Sequence, residues 1–273
     1  EHETVAPYYE YLFSLGWTNT LEYFELADIY LSLRLTDSAI RTLMKIKTDL
    51  LSKEELLNYH LKLSALYQRS GNISLAIRQL ETATIVFHDN TQVYLLLADL
   101  YSQNKEIFKA AETYTTALKI DKNLLTIIET KFELLLQQTQ TVNDRLALLQ
   151  ALEYIYADIC LDDIKLLKIY EHILRYADND ILILTKIGKL YIKLKMFREA
   201  FRVFSKRAEI DSDNRLYKIL TIVSAELKDI PNETKYLYLL FENDALDDLE
   251  KIERLINLLK TQNDNERLYF TLK

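Results

Sequence analysis

Glycine and proline are almost missing from this chain: three and two, respectively, in 273 residues. These residues punctuate hairpins, sheet corners and phosphate-binding loops. Their scarcity argues against a dinucleotide-binding fold or a β-sandwich and leaves helices joined by short polar turns. Cysteine occurs once, at Cys160, which excludes an internal disulfide and a thiolate metal cluster. No apolar run approaches the ~18 residues that cross a bilayer, so no direct membrane insertion by this chain is expected. A signal-peptide pattern is also absent, and the start at Glu1 rather than Met reads as a fragment or a processed form. The expectation is a soluble chain, cytoplasmic or periplasmic.

Positive charge is diluted. The 34 Lys and Arg residues face 41 Asp and Glu, giving a net charge of −7. Binding a nucleic-acid backbone requires clustered cations that displace counterions, so no nucleic-acid partner is expected.

Internal repetition is what the chain does have. Leu63, Tyr67, Gly71, Ala76, Leu80 and Ala83 reappear as Leu97, Tyr101, Lys105, Ala110, Tyr114 and Ala117, each 34 positions later. Leu26, Ala27, Tyr30, Ala39 and Leu43 form an earlier copy, offset by three residues around Ser52 to Glu55. Leu97, Ala98 and Tyr101 share one helical face, and Ala110, Tyr114 and Ala117 make a small-large-small ridge on the helix after it. Gly71 suits the end of a helix, where a left-handed residue is favoured.

This step and these positions resemble the tetratricopeptide repeat, a helix-turn-helix unit of the same period. The resemblance implies an all-α fold, a right-handed superhelical solenoid of antiparallel helix pairs. On that reading 20–124 holds three well-matched repeats (20–53, 57–90 and 91–124), and 181–214 holds another. In the latter, Leu184, Ile187, Gly188, Tyr191, Ala200 and Phe204 fit, with Gly188 at the helix crossing. Residues 1–19 read as an N-terminal helix, the remnant of a preceding repeat, with Pro7 at its start and Gly16 at its stop. An irregular segment spans 125–180, with helices near 124–138, 142–158 and 162–176. The stretch 147–180 is a looser copy carrying Tyr170 and Ile173. Residues 215–273 read as degenerate C-terminal helices.

Catalytic and metal-binding patterns do not emerge. His2, His60, His88 and His172 lack metal spacing, with His60 at the bulky position that Tyr94 fills one repeat later. Cys160 and His172 lack a third orienting group, and Asp158, Asp162 and Asp163 surround the thiol, the opposite of an activating setting. The clusters Asp178–Asp180, Asp211–Asp213 and Asp244–Asp248 lack the spacing, the central glycine and the distal Glu of a calcium loop, and read as helix caps. No enzyme activity, cofactor or metal is expected. Lys186, Lys189, Lys193 and Lys195, and separately Lys206, Arg207, Arg215 and Lys218, make modest basic spots on solvated helix faces.

The resemblance also implies a concave groove lined by first helices, with Leu21, Phe24, Asp28, Asn58, Leu61, Ala65, Gln92, Leu95 and Asp99 facing a partner, joined by Lys189 and Lys193. Phe24, Leu61 and Leu95 would form an apolar stripe with a polar rim, suited to a peptide or protein; the alternative is that neighbouring first helices or the chain's own N-terminal segment cover it. The chaperone-binding members of the family share a cationic clamp for a C-terminal carboxylate. The matching positions here hold Phe24, Asp28, Lys62, Gln92 and Leu96, and Asp28 would repel an anion. The function implied is a non-catalytic scaffold or adaptor. A second reading is a regulatory or substrate-recruiting domain of a larger enzyme or membrane-anchored complex. A third is self-association through the terminal helices.

Overall fold

The computed structural model describes residues 2–15, 19–246 and 248–273, with side chains from Val5 onward. Gly16, expected as a helix stop, lies outside the described residues. Sixteen α-helices and no strand are found among those described. They form two compact units, Glu1–Ala151 and Leu152–Lys273.

The first unit contains α1 (His2–Ser14), α2 (Thr20–Ser32), α3 (Thr36–Leu43), α4 (Lys53–Arg69), α5 (Ile73–Val86), α6 (Thr91–Gln103), α7 (Ile107–Ile120) and α8 (Leu125–Gln138). Helix α9 (Val142–Tyr154) carries the division between the units and runs on into a π turn at Ile155–Ile159. The second unit continues with α10 (Asp163–Leu174), α11 (Ile181–Lys193), α12 (Phe197–Ile210), α13 (Asn214–Glu226), α14 (Ile230–Glu242), α15 (Leu249–Gln262) and α16 (Asn265–Thr271).

Sequential pairing dominates. Helices α2 and α3, α4 and α5, and α6 and α7 pack as hairpins, as do α11 and α12, and α13 and α14. The cause lies in the ridge positions. Ala76, Leu80 and Ala83 on α5, and Ala110, Tyr114 and Ala117 on α7, are at most 1% exposed. Alanine lets the partner backbone approach, and the large residue between fills the gap. In α11 and α12 the contact is tighter still, because Gly188 lies under the ring of the fully buried Phe204.

Caps fix where the helices begin. Ser52 and Glu55 form a reciprocal capping box on α4, and these hydrogen bonds hold the Glu55 carboxyl below its ordinary pKa. Asp180, Asp213 and Asp248 accept backbone N–H groups at the starts of α11, α13 and α15, the role expected of the acidic clusters. Gly71 has φ +79°, and the matching turns hold left-handed Arg34, Lys105, Lys195 and Lys228.

Two expectations are corrected. Pro7 does not start α1 but sits inside it, where its missing N–H removes one helical hydrogen bond. Phe24 does not belong to an exposed stripe. It is 6% exposed, on a helix that packs against both α1 and α3.

Candidate functional site

In three places a tyrosine on a first helix reaches back to a carboxylate on the helix before it. Tyr101 on α6 donates its hydroxyl to Glu81 on α5 at 2.5 Å, and Tyr191 on α11 does so to Glu171 on α10 at 2.8 Å. Tyr30 on α2 bonds Glu10 on α1. In each case the carboxylate stands 20 residues earlier, so α1 takes the place of a second helix. Burial, helped by the adjacent carboxylate, pushes the Tyr30 and Tyr191 phenols up to about 12 and raises Tyr101 further.

Other tyrosine hydroxyls hold hairpins together from within. Tyr114 bonds Asp99, and Tyr170 donates to Glu153 at 3.1 Å. The second contact gives the loosely matched stretch 147–180 the same internal link as 91–124.

Cations complete the pattern across successive repeats. Lys62 meets Asp28 at 2.5 Å, Lys131 meets Asp99 at 2.6 Å and Lys186 meets Glu153 at 2.6 Å. Lys193 pairs with Asp163 at 2.6 Å. Asp28, Asp99 and Lys193 are therefore engaged within the chain. Lys62, the one clamp position suited to an anion, is held by Asp28.

The remaining groove candidates divide by exposure. Leu21 is 60% exposed, and Asn58, Ala65, Gln92 and Lys189 are also exposed, whereas Leu61 and Leu95 are half-buried. His60 is buried beside Gln79, with its Nδ1 3.1 Å from the Gln79 Oε1, and burial holds its pKa below the ordinary imidazole value. Cys160 closes the π turn, half-buried. Among the described residues no three His, Cys, Asp or Glu side chains gather to hold a metal, and no helix is long and apolar enough to cross a membrane.

Two depressions lie on the first-helix side of the first unit. One of about 170 Å³ is bounded by Asp28, Leu31, Lys62, Ala65 and Arg69. The other is a cleft of about 680 Å³ between α4, α6 and α8, closed below by the turn at Thr139–Thr141. Asp99 lines it, with Gln68, Ser102, Gln103, Gln138 and Gln140. Asp28 and Ala65 thus meet in the small hollow, while Asp99 alone of the expected residues reaches the large one. The glutamines went unread because an exposed amide leaves no mark on a hydrophobic pattern; their equal spacing was the available signal.

The profile of the tetratricopeptide repeat matches residues 91–124, the α6–α7 hairpin. No curated protein matches the chain. Among solved structures the chain is similar to Pseudomonas aeruginosa pilF, with 16% identity and a TM-score of 0.33, over 86% of this chain and 95% of that one. It is similar to MamA at 20% identity and a TM-score of 0.37, over 67% and 92% of the two chains. A tetratricopeptide repeat protein from Parabacteroides merdae shows 15% identity and a TM-score of 0.34, over 93% and 99%. The matched α6–α7 hairpin is a tetratricopeptide repeat, and its packing positions recur in the neighbouring helix pairs.

Proposed function

We propose that this chain is a non-catalytic scaffold that holds a peptide or protein along the first-helix side of its repeats. The tetratricopeptide repeat is a protein-interaction fold, which supports the general role. The observation that carries the specific reading is the open cleft between α4, α6 and α8; elsewhere on the first helices Leu21, Asn58, Ala65 and Gln92 are exposed and Leu61 and Leu95 half-buried. Packing does not require these exposed side chains, and an apolar strip with polar edges is what a bound segment covers. Phe24 has no part in the surface, and a C-terminal carboxylate clamp is disfavoured because Asp28 neutralises Lys62.

The test is affinity capture with the native chain and with a Leu21→Ala, Asn58→Ala, Gln92→Ala variant. All three sites are exposed, so circular dichroism should show an unchanged fold. A partner held by the native chain and lost by the variant supports the reading. A partner held equally by both places binding elsewhere and overturns it.

A further inference from the structure

Helix α16 is docked by one face only. Leu268 packs on the core formed by α14 and α15, and Thr271, one turn on, is 9% exposed. The opposite face carries Glu266, Tyr269, Phe270 and Lys273, all of them exposed. Their spacing of three, four and seven residues sets them in one stripe along the helix. Leu272 keeps helical backbone angles after the last turn. The Lys273 Nζ lies 4.4 Å from the centre of the Tyr269 ring, which keeps the lysine in line.

The centre of the stripe is apolar. Tyr269 and Phe270 are 56% and 54% exposed, with ring centroids 5.8 Å apart, edge to face. Together they leave roughly 200 Å² of aromatic side chain in water. Phe270 also borders an open cleft of about 620 Å³ toward α14, room into which a second ring can settle.

The ends of the stripe carry opposite charges, Glu266 and Lys273. Arg267 does not disturb this order, because Asp264 holds it at 3.6 Å and it lies over the Tyr238 ring. Neither Glu266 nor Lys273 enters a salt bridge among the described residues. The stripe is therefore symmetric about its middle: turned end for end, it sets a cation where the anion stood and a ring where a ring stood. A surface with the same order read backwards matches both ends at once, and a second copy of α16 laid antiparallel supplies it.

We infer that α16 is the contact of a two-fold homodimer, in which Tyr269 and Phe270 of two copies interleave and each Glu266 faces the partner's Lys273. This goes beyond the groove reading and does not rest on it. Such a contact closes at two copies, whereas end-to-end stacking of repeats would grow without limit. Its area is at the small end for specific interfaces, so the dimer forms and parts with concentration. The two exposed ion pairs make it weaken with salt.

Sedimentation velocity on the full chain, from micromolar to near-millimolar concentration, reads this directly. The average mass should rise from that of one chain and level off at that of two. Tyr269→Ala and Phe270→Ala together should hold the chain at monomer mass, with circular dichroism unchanged because both rings are exposed. Glu266→Lys alone, or Lys273→Glu alone, sets like charges against each other at both ends of the contact and should weaken association about tenfold. An equimolar mixture of these two single variants should regain native strength as a heterodimer, since each charge then meets its opposite. A mass that stays at one chain, or climbs past two, overturns the inference. A dimer that survives the aromatic changes lies elsewhere on the molecule and overturns it as well. Charge variants that leave association unchanged, or that fail to rescue one another when mixed, overturn the antiparallel pairing on which it stands.

Discussion

Among single residues, Gly188 has the least room to change. A Cβ added there would sit 2.5 Å from the Phe204 ring, and that ring is fully buried. Replacing Gly188 by Ala should destabilise the second unit by about 1–3 kcal/mol, the usual cost of overpacking a filled core. The urea midpoint measures this, and an unchanged midpoint would mean that the ring swings aside freely. The sequence marked Gly188 as a crossing point because its register placed a small residue where Ala98 stands in the 91–124 repeat. It did not reveal the fate of Phe24, since a helical register gives a residue's direction but not whether a neighbouring helix covers it. Asp28 and Lys62 could likewise be placed on the groove side one by one. Their pairing came into view only once adjacent first helices brought the two side chains, 34 residues apart, to 2.5 Å.

For the helix pairs, the turns carry the hidden information. Gly71 announces a left-handed residue, but Arg34, Lys105, Lys195 and Lys228 adopt the same conformation with φ between 56° and 63°, and their side chains give no hint of it. The strain of a left-handed non-glycine residue is about 1–2 kcal/mol, partly offset by the entropy that glycine loses on folding. Lys195→Gly should therefore raise stability by roughly 0.5–1 kcal/mol. Chemical denaturation checks the sign, and a drop in stability would refute the account. Helix pairing was readable because alanines at fixed offsets from large residues have one packing explanation. Pro7 was misplaced because proline favours a first turn, and no apolar signal marked the true start of α1 at His2.

Across the whole molecule, the tyrosine–carboxylate links predict how the protein meets alkali. Burial, then the hydrogen-bonded carboxylate, raises Tyr30 and Tyr191 to about 12, and Tyr101, Tyr114 and Tyr170 are raised further. For Tyr170 the Glu153 charge acts ahead of the hydrogen bond. The neutral phenol is the form the native state favours. The stabilisation is thus fully present below the unfolded value of about 10 and is lost as pH climbs through 12. Ellipticity and phenolate absorbance followed together should show these tyrosines ionising only as the helices melt. Ionisation near pH 10 with the helices intact would sink the argument. The architecture was legible at this scale because a 34-residue step recurs with its packing residues. The cleft was not, because glutamines at an equal step obey no hydrophobic period.

Under tension, the same links act as clasps in series. Repeats in a solenoid touch only their neighbours, so a pull applied at the two termini loads each clasp fully rather than sharing the force among them. Three of the four joints where a tyrosine reaches back to the preceding second helix close on a carboxylate. At the fourth, the three-residue offset puts Met44 in the carboxylate's place, and the Tyr67 hydroxyl rests 3.6 Å from its sulfur. A thioether is a weak acceptor. Of the four, the seam between α3 and α4 is where a stretched chain parts first.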